Sequence, residues 1–126
     1  MAPLFKNFKQ NSNRDVQTFA IGEEKVVFNS RGLIPAVLQA RIKNEWRVLD
    51  VIYLNKEALQ LSLNSGVLFV YRRSKRSVER LGEKTGNTYK IKSIQISLNH
   101  RSLLISILDD HGELPALSFT RTVYSV

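Results

Sequence analysis

The sequence contains no cysteine, which excludes disulfide bonds, thiolate zinc sites and cysteine nucleophiles. Histidine is scarce as well, since His100 and His111 are the only two. No apolar run approaches the roughly 18 residues that a membrane-spanning helix needs, and the first ten residues lack the apolar core of a signal peptide. We therefore expect a cytoplasmic protein that does not associate with a membrane.

Acidic residues are few: 11 Asp and Glu face 19 Lys and Arg, which gives a formal net charge of +8. Such an excess attracts anions of several kinds, including phosphorylated small molecules, nucleic acid and acidic proteins, and does not choose among them. A length of 126 residues with 43% apolar composition fits one domain with its own core. We predict an N-terminal extension over residues 1–25 and a folded domain over residues 26–126.

Short β-branched runs separated by turn residues predict an α+β fold dominated by antiparallel sheet. One or two short helices are expected, and one of them is predicted over Lys56–Asn64, with Asn55 as its N-cap and Gly66 as its stop. The segment Ser77–Leu81 is ambiguous. The predicted strands are Glu24–Phe28, Ile34–Arg41, Arg47–Tyr53, Val67–Tyr71, Lys90–Ser97, Leu103–Leu108 and Leu117–Tyr124.

The stretch Tyr71–Asn87 joins a basic cluster to a Gly-Glu-Lys-Thr-Gly-Asn turn. Backbone donors in such a turn, together with lysine ammonium and arginine guanidinium groups, can surround a phosphate. A turn that serves the fold alone is the competing interpretation. The predicted residues for binding phosphate or another anion are Arg72, Arg73, Ser74, Lys75, Arg76, Gly82, Lys84, Thr85, Gly86, Asn87 and Arg101.

Four motifs occur in an order and at spacings that closely resemble the phosphoribosyl-AMP cyclohydrolase family of histidine biosynthesis. They are Gly32–Gln39, Val48-Leu49 with Tyr53–Leu59, Ser65-Gly66 and Gly82–Asn87. The resemblance covers about Val27 to Ser125. It implies a compact, sheet-rich fold in an intertwined homodimer whose active sites lie at the subunit interface.

The resemblance also implies a reaction, which is hydrolysis of the N1–C6 bond of the purine ring in phosphoribosyl-AMP. Family members use a zinc ion held by three cysteines, which activates water, and a magnesium site built from aspartates. The family's Asp-Cys-Asp-x-Asp segment falls on Ser97–Arg101, and its Cys-His-Thr-Gly-x-x-Ser-Cys segment falls on Leu114–Arg121. Every expected ligand is therefore replaced, and we predict no metal, no other cofactor and no catalytic residue.

Part of the family's substrate segment is kept. Its Ser-Arg-Ser-Arg falls on Arg72–Lys75, which preserves a hydroxyl and increases the charge, whereas its Trp-x-Lys-Gly becomes Glu79–Gly82. The loss of that tryptophan and lysine puts the original substrate in doubt.

No other catalytic constellation has strong support. His100 and His111, with Asp109 and Asp110, are chemically able to hold a metal or form a base dyad. However, Asp109–Gly112 has the composition of an exposed hairpin turn, which is the interpretation we favour. There is no Walker loop and no GxGxxG fingerprint. Aromatic residues alternate with basic ones as on a nucleic-acid surface, although aromatic residues in strands more often belong to a core or a dimer interface.

Three functions stay open. The first, which we favour, is a non-catalytic homologue, or pseudoenzyme, that forms a homodimer and binds an anionic ligand such as a nucleotide, or a partner, through a basic pocket. The second is a basic structural subunit of a larger assembly that associates with nucleic acid or an acidic protein. The third is an active cyclohydrolase with an atypical metal site.

Overall fold

The computed structural model describes residues 16–108 and 114–126. Eight strands, one α-helix and one short 3₁₀ helix occur in this part of the chain, which confirms the α+β class. In chain order they are β1 (Thr18–Ile21), β2 (Glu24–Val27), β3 (Ile34–Ile42), β4 (Glu45–Leu54), α1 (Lys56–Ser65), β5 (Phe69–Arg72), β6 (Ser77–Arg80), the 3₁₀ helix (Glu83–Thr85), β7 (Ile91–Ile96) and β8 (Leu103–Ile107).

The central sheet has four strands in the order β4-β3-β8-β7. Its β3–β4 and β7–β8 pairs are antiparallel, whereas β3 and β8 are parallel. The hairpins β1–β2 and β5–β6 form two separate two-stranded sheets. Because β4 and β7 are the two edges of the central sheet, the chain between them must cross from one edge to the other. That crossover, residues 55–90, contains α1, the β5–β6 hairpin and the 3₁₀ helix.

The core follows from the two-residue period of the strands. Along β3, Ile34, Ala36, Leu38 and Ala40 are buried, and the residues between them are only partly covered. Strand β8 is buried at most of its positions because it lies between β3 and β7. Complete burial of one such aliphatic side chain contributes roughly 1.5–3 kcal/mol, so this face of the sheet provides much of the stability.

Helix α1 confirms the capping residues predicted from the sequence. The Asn55 side chain accepts a hydrogen bond from the Ala58 N–H at 2.8 Å, and the helix ends at Gly66 in the left-handed conformation. Ser62 is fully buried on the inner face, where its Oγ accepts a hydrogen bond from the Phe69 N–H at 2.8 Å. The helix therefore fixes the start of β5 and so places the β5–β6 hairpin.

The predicted strand Leu117–Tyr124 is wrong, because the segment has no regular secondary structure. Its described backbone link to the sheet is one hydrogen bond, from the Ser118 N–H to the Leu49 carbonyl of β4 at 2.8 Å. A strand-forming sequence becomes a strand only when it has a neighbour for its backbone groups and burial for one face. Within the described chain, this segment forms a single backbone hydrogen bond to β4 rather than a ladder, and residues 117–126 are exposed.

Two further expectations are refined by the structure. The ambiguous segment Ser77–Leu81 provides β6, which pairs with β5. Within the predicted extension, Thr18–Ile21 is strand β1, while the boundary between extension and domain stays a prediction. No helix among the described residues is long and apolar enough to cross a membrane.

Candidate functional site

The basic cluster lies in the tight connection between β5 and β6. Strand β5 ends at Arg72, β6 begins at Ser77, and the Lys75 N–H donates to the Arg72 carbonyl at 3.1 Å. Arg76 has a positive φ of 52°, a conformation that lets the chain turn back within four residues. The turn thereby concentrates the side chains of the cluster at one end of the hairpin.

Glu79 organises part of this cluster. Its Oε2 lies 2.8 Å from Arg72 Nε, and its Oε1 lies 3.6 Å from Lys75 Nζ. The hydrogen bond from Arg72 is the largest effect that lowers the pKa of Glu79, and the positive charges of Arg72 and Lys75 add to it. Glu79 was not among the sequence-predicted site residues. The hairpin register would have indicated it, because Arg72 pairs with Ser77 and so has Glu79 as its diagonal neighbour on the same face.

Lys75 and Lys84 meet beside Glu79, although nine residues separate them in sequence. Protonated Lys75 is able to donate a hydrogen bond to the neutral form of Lys84, and this effect, followed by the negative charge of Glu79, raises the pKa of Lys75. The same hydrogen bond, with the positive charge of Lys75, lowers the pKa of Lys84. Arg72, Lys75 and Lys84 thus surround a single carboxylate, and the local excess of positive charge is two.

The Gly-Glu-Lys-Thr-Gly-Asn turn is held together by its own hydrogen bonds. The N–H groups of Thr85 and Asn87 both donate to the Gly82 carbonyl, at 3.1 and 2.9 Å, and the Gly86 N–H donates to Glu83. The Asn87 side-chain amide donates to Thr85 Oγ1 at 2.9 Å. These backbone and side-chain donors therefore form hydrogen bonds within the turn. The side chain of Lys84 is the group of the turn best placed to bind an anion.

A second basic surface lies between the β5–β6 hairpin and strand β4. A cavity of about 560 Å³ lies between β4, β5 and the β5–β6 turn, where the Arg73 guanidinium stands 4.1 Å from the centroid of the Tyr53 ring. Two smaller cavities of about 190 Å³ adjoin it, and all three share Arg31 and Tyr71. We call these adjoining cavities the Tyr71 groove. The first is lined by Arg31, Asp50, Val51, Ile52, Tyr53, Val70, Tyr71, Arg72, Arg73 and Ser74.

Arg31 is a groove residue that sequence reasoning did not select. The Asn29 side chain accepts hydrogen bonds from the Arg31 and Leu33 N–H groups at 2.9 and 3.0 Å, which fixes the loop before β3. The composition of Asn29-Ser30-Arg31-Gly32 predicts a turn and no binding role. Its position beside Tyr71 depends on the packing of the crossover against the sheet, for which the local sequence gives no signal.

The structure divides the predicted anion-binding residues among several places. Arg72, Arg73 and Ser74 line the largest cavity of the Tyr71 groove, and Arg76 lines an adjoining one. Gly82, Thr85 and Asn87 line a different cavity of about 310 Å³, together with residues 114–116. Arg101 lies in the β7–β8 loop, and no described contact joins it to the β5–β6 turn.

The β7–β8 loop, on which the family's first metal-binding segment falls, is a self-contained turn. Ser97 Oγ donates to Asn99 Oδ1 at 2.8 Å, and the Arg101 N–H donates to the same Asn99 oxygen at 3.0 Å. His100 has a positive φ of 64°, and its Nδ1 lies 2.8 Å from the Lys25 carbonyl of β2. The loop is thus tied to its own backbone and to the β1–β2 hairpin.

These residues do not fit the zinc and magnesium that the family resemblance implies. Magnesium prefers carboxylates and zinc requires thiolate, imidazole or carboxylate, whereas this loop offers a hydroxyl, an amide, one imidazole and a guanidinium. Among residues 16–108 and 114–126, no group of three or more His, Cys, Asp or Glu could hold a metal ion. His111, Asp109 and Asp110 lie outside the described residues, so their dyad with His100 is untested.

Comparison with known proteins identifies the family. The chain is 33% identical over 89 residues to the phosphoribosyl-AMP cyclohydrolase of Nitrosomonas europaea, covering 71% of this chain and 67% of that protein. It is 34% identical over 84 residues to the histidine biosynthesis bifunctional protein HisIE of Caldanaerobacter subterraneus, covering 67% of this chain and 40% of that protein. The corresponding HisIE of Bacillus subtilis is 33% identical over 84 residues, with 67% of this chain and 39% of that protein covered.

No protein-family model matches the chain. The similarity to the Nitrosomonas protein spans two thirds of both proteins, and the chain belongs to the phosphoribosyl-AMP cyclohydrolase family. It spans about two fifths of the length of the bifunctional relatives. The resemblance found in the four motifs is thereby confirmed.

The two glycines of the turn allow a test of its packing. At Gly82, φ is +85° and an added Cβ would lie 2.6 Å from a Tyr89 ring carbon and 2.8 Å from the Asn87 carbonyl oxygen. At Gly86, φ is +75° and an added Cβ would meet nothing within 4 Å. We expect Gly82→Ala to lower the free energy of unfolding by roughly 3 kcal/mol or more and Gly86→Ala by about 1 kcal/mol.

Urea unfolding of the two variants beside the unsubstituted protein measures the difference. Both substitutions impose the same backbone strain, so Gly86→Ala is the matched control for the steric clash at Gly82. Equal losses of unfolding free energy in the two variants would show that Tyr89 does not pack against the turn as described.

Proposed function

We propose that this chain is a non-catalytic member of its family that binds an anionic ligand where Arg72, Lys75 and Lys84 meet. The observation on which the proposal rests is that Arg72 and Lys75 both pair with the Glu79 carboxylate, at 2.8 and 3.6 Å. Lys84 adds a third positive charge that also acts on Glu79, and this one carboxylate balances only one of the three cations. The protonated side chains of Lys75 and Lys84 therefore repel each other. A bound anion would remove that repulsion.

The chemistry of the site favours a phosphate or a similar oxyanion. Lysine ammonium groups are compact charges that suit phosphate, and a guanidinium adds directional donors. Lys75 and Lys84 lie on different loops, so a ligand between them would also join the hairpin turn to the 3₁₀ helix. A nucleotide is the form of anion that the family membership suggests, because the Nitrosomonas europaea relative is a phosphoribosyl-AMP cyclohydrolase.

The loss of catalysis is proposed from the donor set. Ser97, Asn99 and Arg101 stand where the family resemblance assigns carboxylates, and the first two are already hydrogen-bonded to each other. The segment 114–121, on which the family's other two cysteines fall, contains no His, Asp or Glu. Neither segment supplies ligands of the kind that the family's reaction requires.

We also propose a homodimer. The C-terminal segment leaves Phe119 63%, Tyr124 81% and Val123 100% exposed, and it lies beside edge strand β4, where Trp46 is 47% exposed. Large apolar side chains left exposed on a segment that is bonded to a sheet edge favour coverage by another chain. A second copy is the occupant that the family resemblance implies.

Metal content and turnover test the loss of catalysis. We expect the purified protein to hold no stoichiometric zinc or magnesium, and to hydrolyse no phosphoribosyl-AMP when both metals are added. The Nitrosomonas europaea cyclohydrolase, assayed in parallel, is the positive control. Turnover by this chain at a rate near that control would refute the proposal and direct attention to His100 and His111.

Sulfate binding as a function of pH tests the anion site. Sulfate keeps its charge between neutral and alkaline pH, so any change reports on the protein. Because the pKa of Lys84 is lowered, this side chain loses its proton before an ordinary lysine does, and affinity should fall up to about fivefold as pH rises through that pKa. A bound anion stabilises the protonated form, so binding should take up protons in the same range.

Calorimetric titration at constant ionic strength measures both effects. Lys84→Met should weaken binding at neutral pH and remove its pH dependence over this range. Lys25→Met, which deletes the same charge on the exposed face of β2, should leave both unchanged. Equal effects of the two substitutions would assign the binding to net charge rather than to this site.

Sedimentation equilibrium tests the dimer. We expect twice the chain mass of 14.4 kDa at micromolar concentration. Phe119→Ser should raise the dissociation constant because it removes an exposed aromatic ring from the proposed interface. Leu98→Ser changes a fully exposed apolar residue of the β7–β8 loop. It is the control, and it should leave the dissociation constant of the dimer unchanged. A monomeric unsubstituted protein would rule the dimer out.

A further inference from the structure

We propose that the Tyr71 groove binds single-stranded nucleic acid. Among the described residues, Arg72 belongs to both the groove and the proposed anion site, whereas Lys75 and Lys84 do not line the groove. The inference goes beyond the anion site proposed above. Three observations lead to it: the adjoining cavities of the groove, the aromatic rings along it, and the absence, within the described residues, of a carboxylate partner for most of its arginines.

The groove consists of three adjoining cavities rather than one pocket. The cavities meet at Arg31 and Tyr71, and their linings reach Asp50 and Ser74 in one and Asn55 and Lys56 in another. A single small anion occupies one basic pocket. An elongated polyanion instead meets positive charge at intervals along its backbone, which is what this arrangement offers.

The arginines of the groove are available to a ligand. Arg31, Arg73 and Arg76 are exposed and line the groove, and none forms a described ion pair with a carboxylate in residues 16–108 or 114–126. Arg72 differs, because Glu79 already binds its Nε. The two carboxylates along the groove are Asp50 and Glu57, and Asp50 Oδ1 accepts a hydrogen bond from the adjacent Val51 N–H at 2.8 Å. Positive charge therefore prevails along the groove.

The rings of Tyr53 and Tyr71 give the groove surfaces on which bases can stack. Both side chains are half-buried, so their positions are fixed while part of each ring faces the groove. Arg73 stacks on Tyr53 at 4.1 Å and presents a planar guanidinium next to the ring. Stacking on aromatic rings and guanidinium planes requires bases that are not paired in a duplex, which is why a single strand fits this groove better.

Fluorescence anisotropy with a labelled 12-nucleotide single strand of mixed sequence tests the inference, with the same sequence as a duplex for comparison. The single strand should bind more tightly than the duplex. Arg31→Ser and Arg73→Ser should each weaken binding roughly 3- to 10-fold and reduce the slope of log affinity against log salt by about one. Arg47→Ser removes an equal charge from the exposed part of β4 outside the groove and should have little effect.

Each alternative outcome overturns the inference in an identifiable way. Equal losses for Arg31→Ser and Arg47→Ser would mean that net charge alone attracts the strand. Tighter binding of the duplex, or equal competition by AMP at the same nucleotide concentration, would assign the groove to another class of ligand. Because Arg31 and Arg73 are exposed, unchanged urea-unfolding midpoints are expected and exclude misfolding as the cause.

The sulfate titration separates this inference from the proposed anion site. If sulfate binds in a Lys84-dependent manner while the single strand does not bind, the groove inference fails and the anion site stands. If the single strand binds in an Arg31-dependent manner while sulfate does not bind, the anion site fails and the groove inference stands. Arg31→Ser should leave sulfate affinity unchanged, and Lys84→Met should leave the preference for single strand over duplex unchanged.

Discussion

The parallel pairing of β3 with β8 is the constraint on which the other features depend. A parallel neighbour cannot be reached through a tight turn, so the chain must leave the sheet at one edge and return at the other. The crossover that results contains α1 and the β5–β6 hairpin, and α1 holds it against the sheet through Ala58, Leu59 and Ser62. The basic residues therefore project from a segment whose position is set by helix packing and by the Ser62–Phe69 hydrogen bond.

The two basic surfaces differ in how their charges are balanced. Around Glu79, three cations meet one carboxylate at close range, and the pKa values of Lys75, Glu79 and Lys84 all shift in response. Along the Tyr71 groove the charges are spread out, and the arginines lie beside aromatic rings rather than beside acids. The first arrangement suits a compact anion, and the second suits a longer one with stacked rings. Arg72 takes part in both surfaces, because it pairs with Glu79 and also lines the groove.

Local chemistry determined which parts of the structure could be predicted from the sequence. Asn55 and Gly66 act on their own helix, so the bounds of α1 were predicted to within one residue. Strand β6 was ambiguous and the predicted strand Leu117–Tyr124 was wrong, because strand formation depends on partners elsewhere in the fold. Glu79 and Arg31 were missed for a related reason. Their roles come from hairpin register and from crossover packing, neither of which appears in the spacing of neighbouring residues.

The fit of Gly82 against Tyr89 and the Asn87 carbonyl bears on how sequence motifs are interpreted in this family. The backbone at Gly82 has no space for a side chain, so the fold alone demands glycine there. A search that uses the Gly-Glu-Lys-Thr-Gly-Asn motif as a marker of activity would thus select proteins in which a tyrosine ring packs on this turn. It would not select proteins by their ability to catalyse the reaction. Whether such a protein can process its family's substrate must be judged from the residues that would bind the metals.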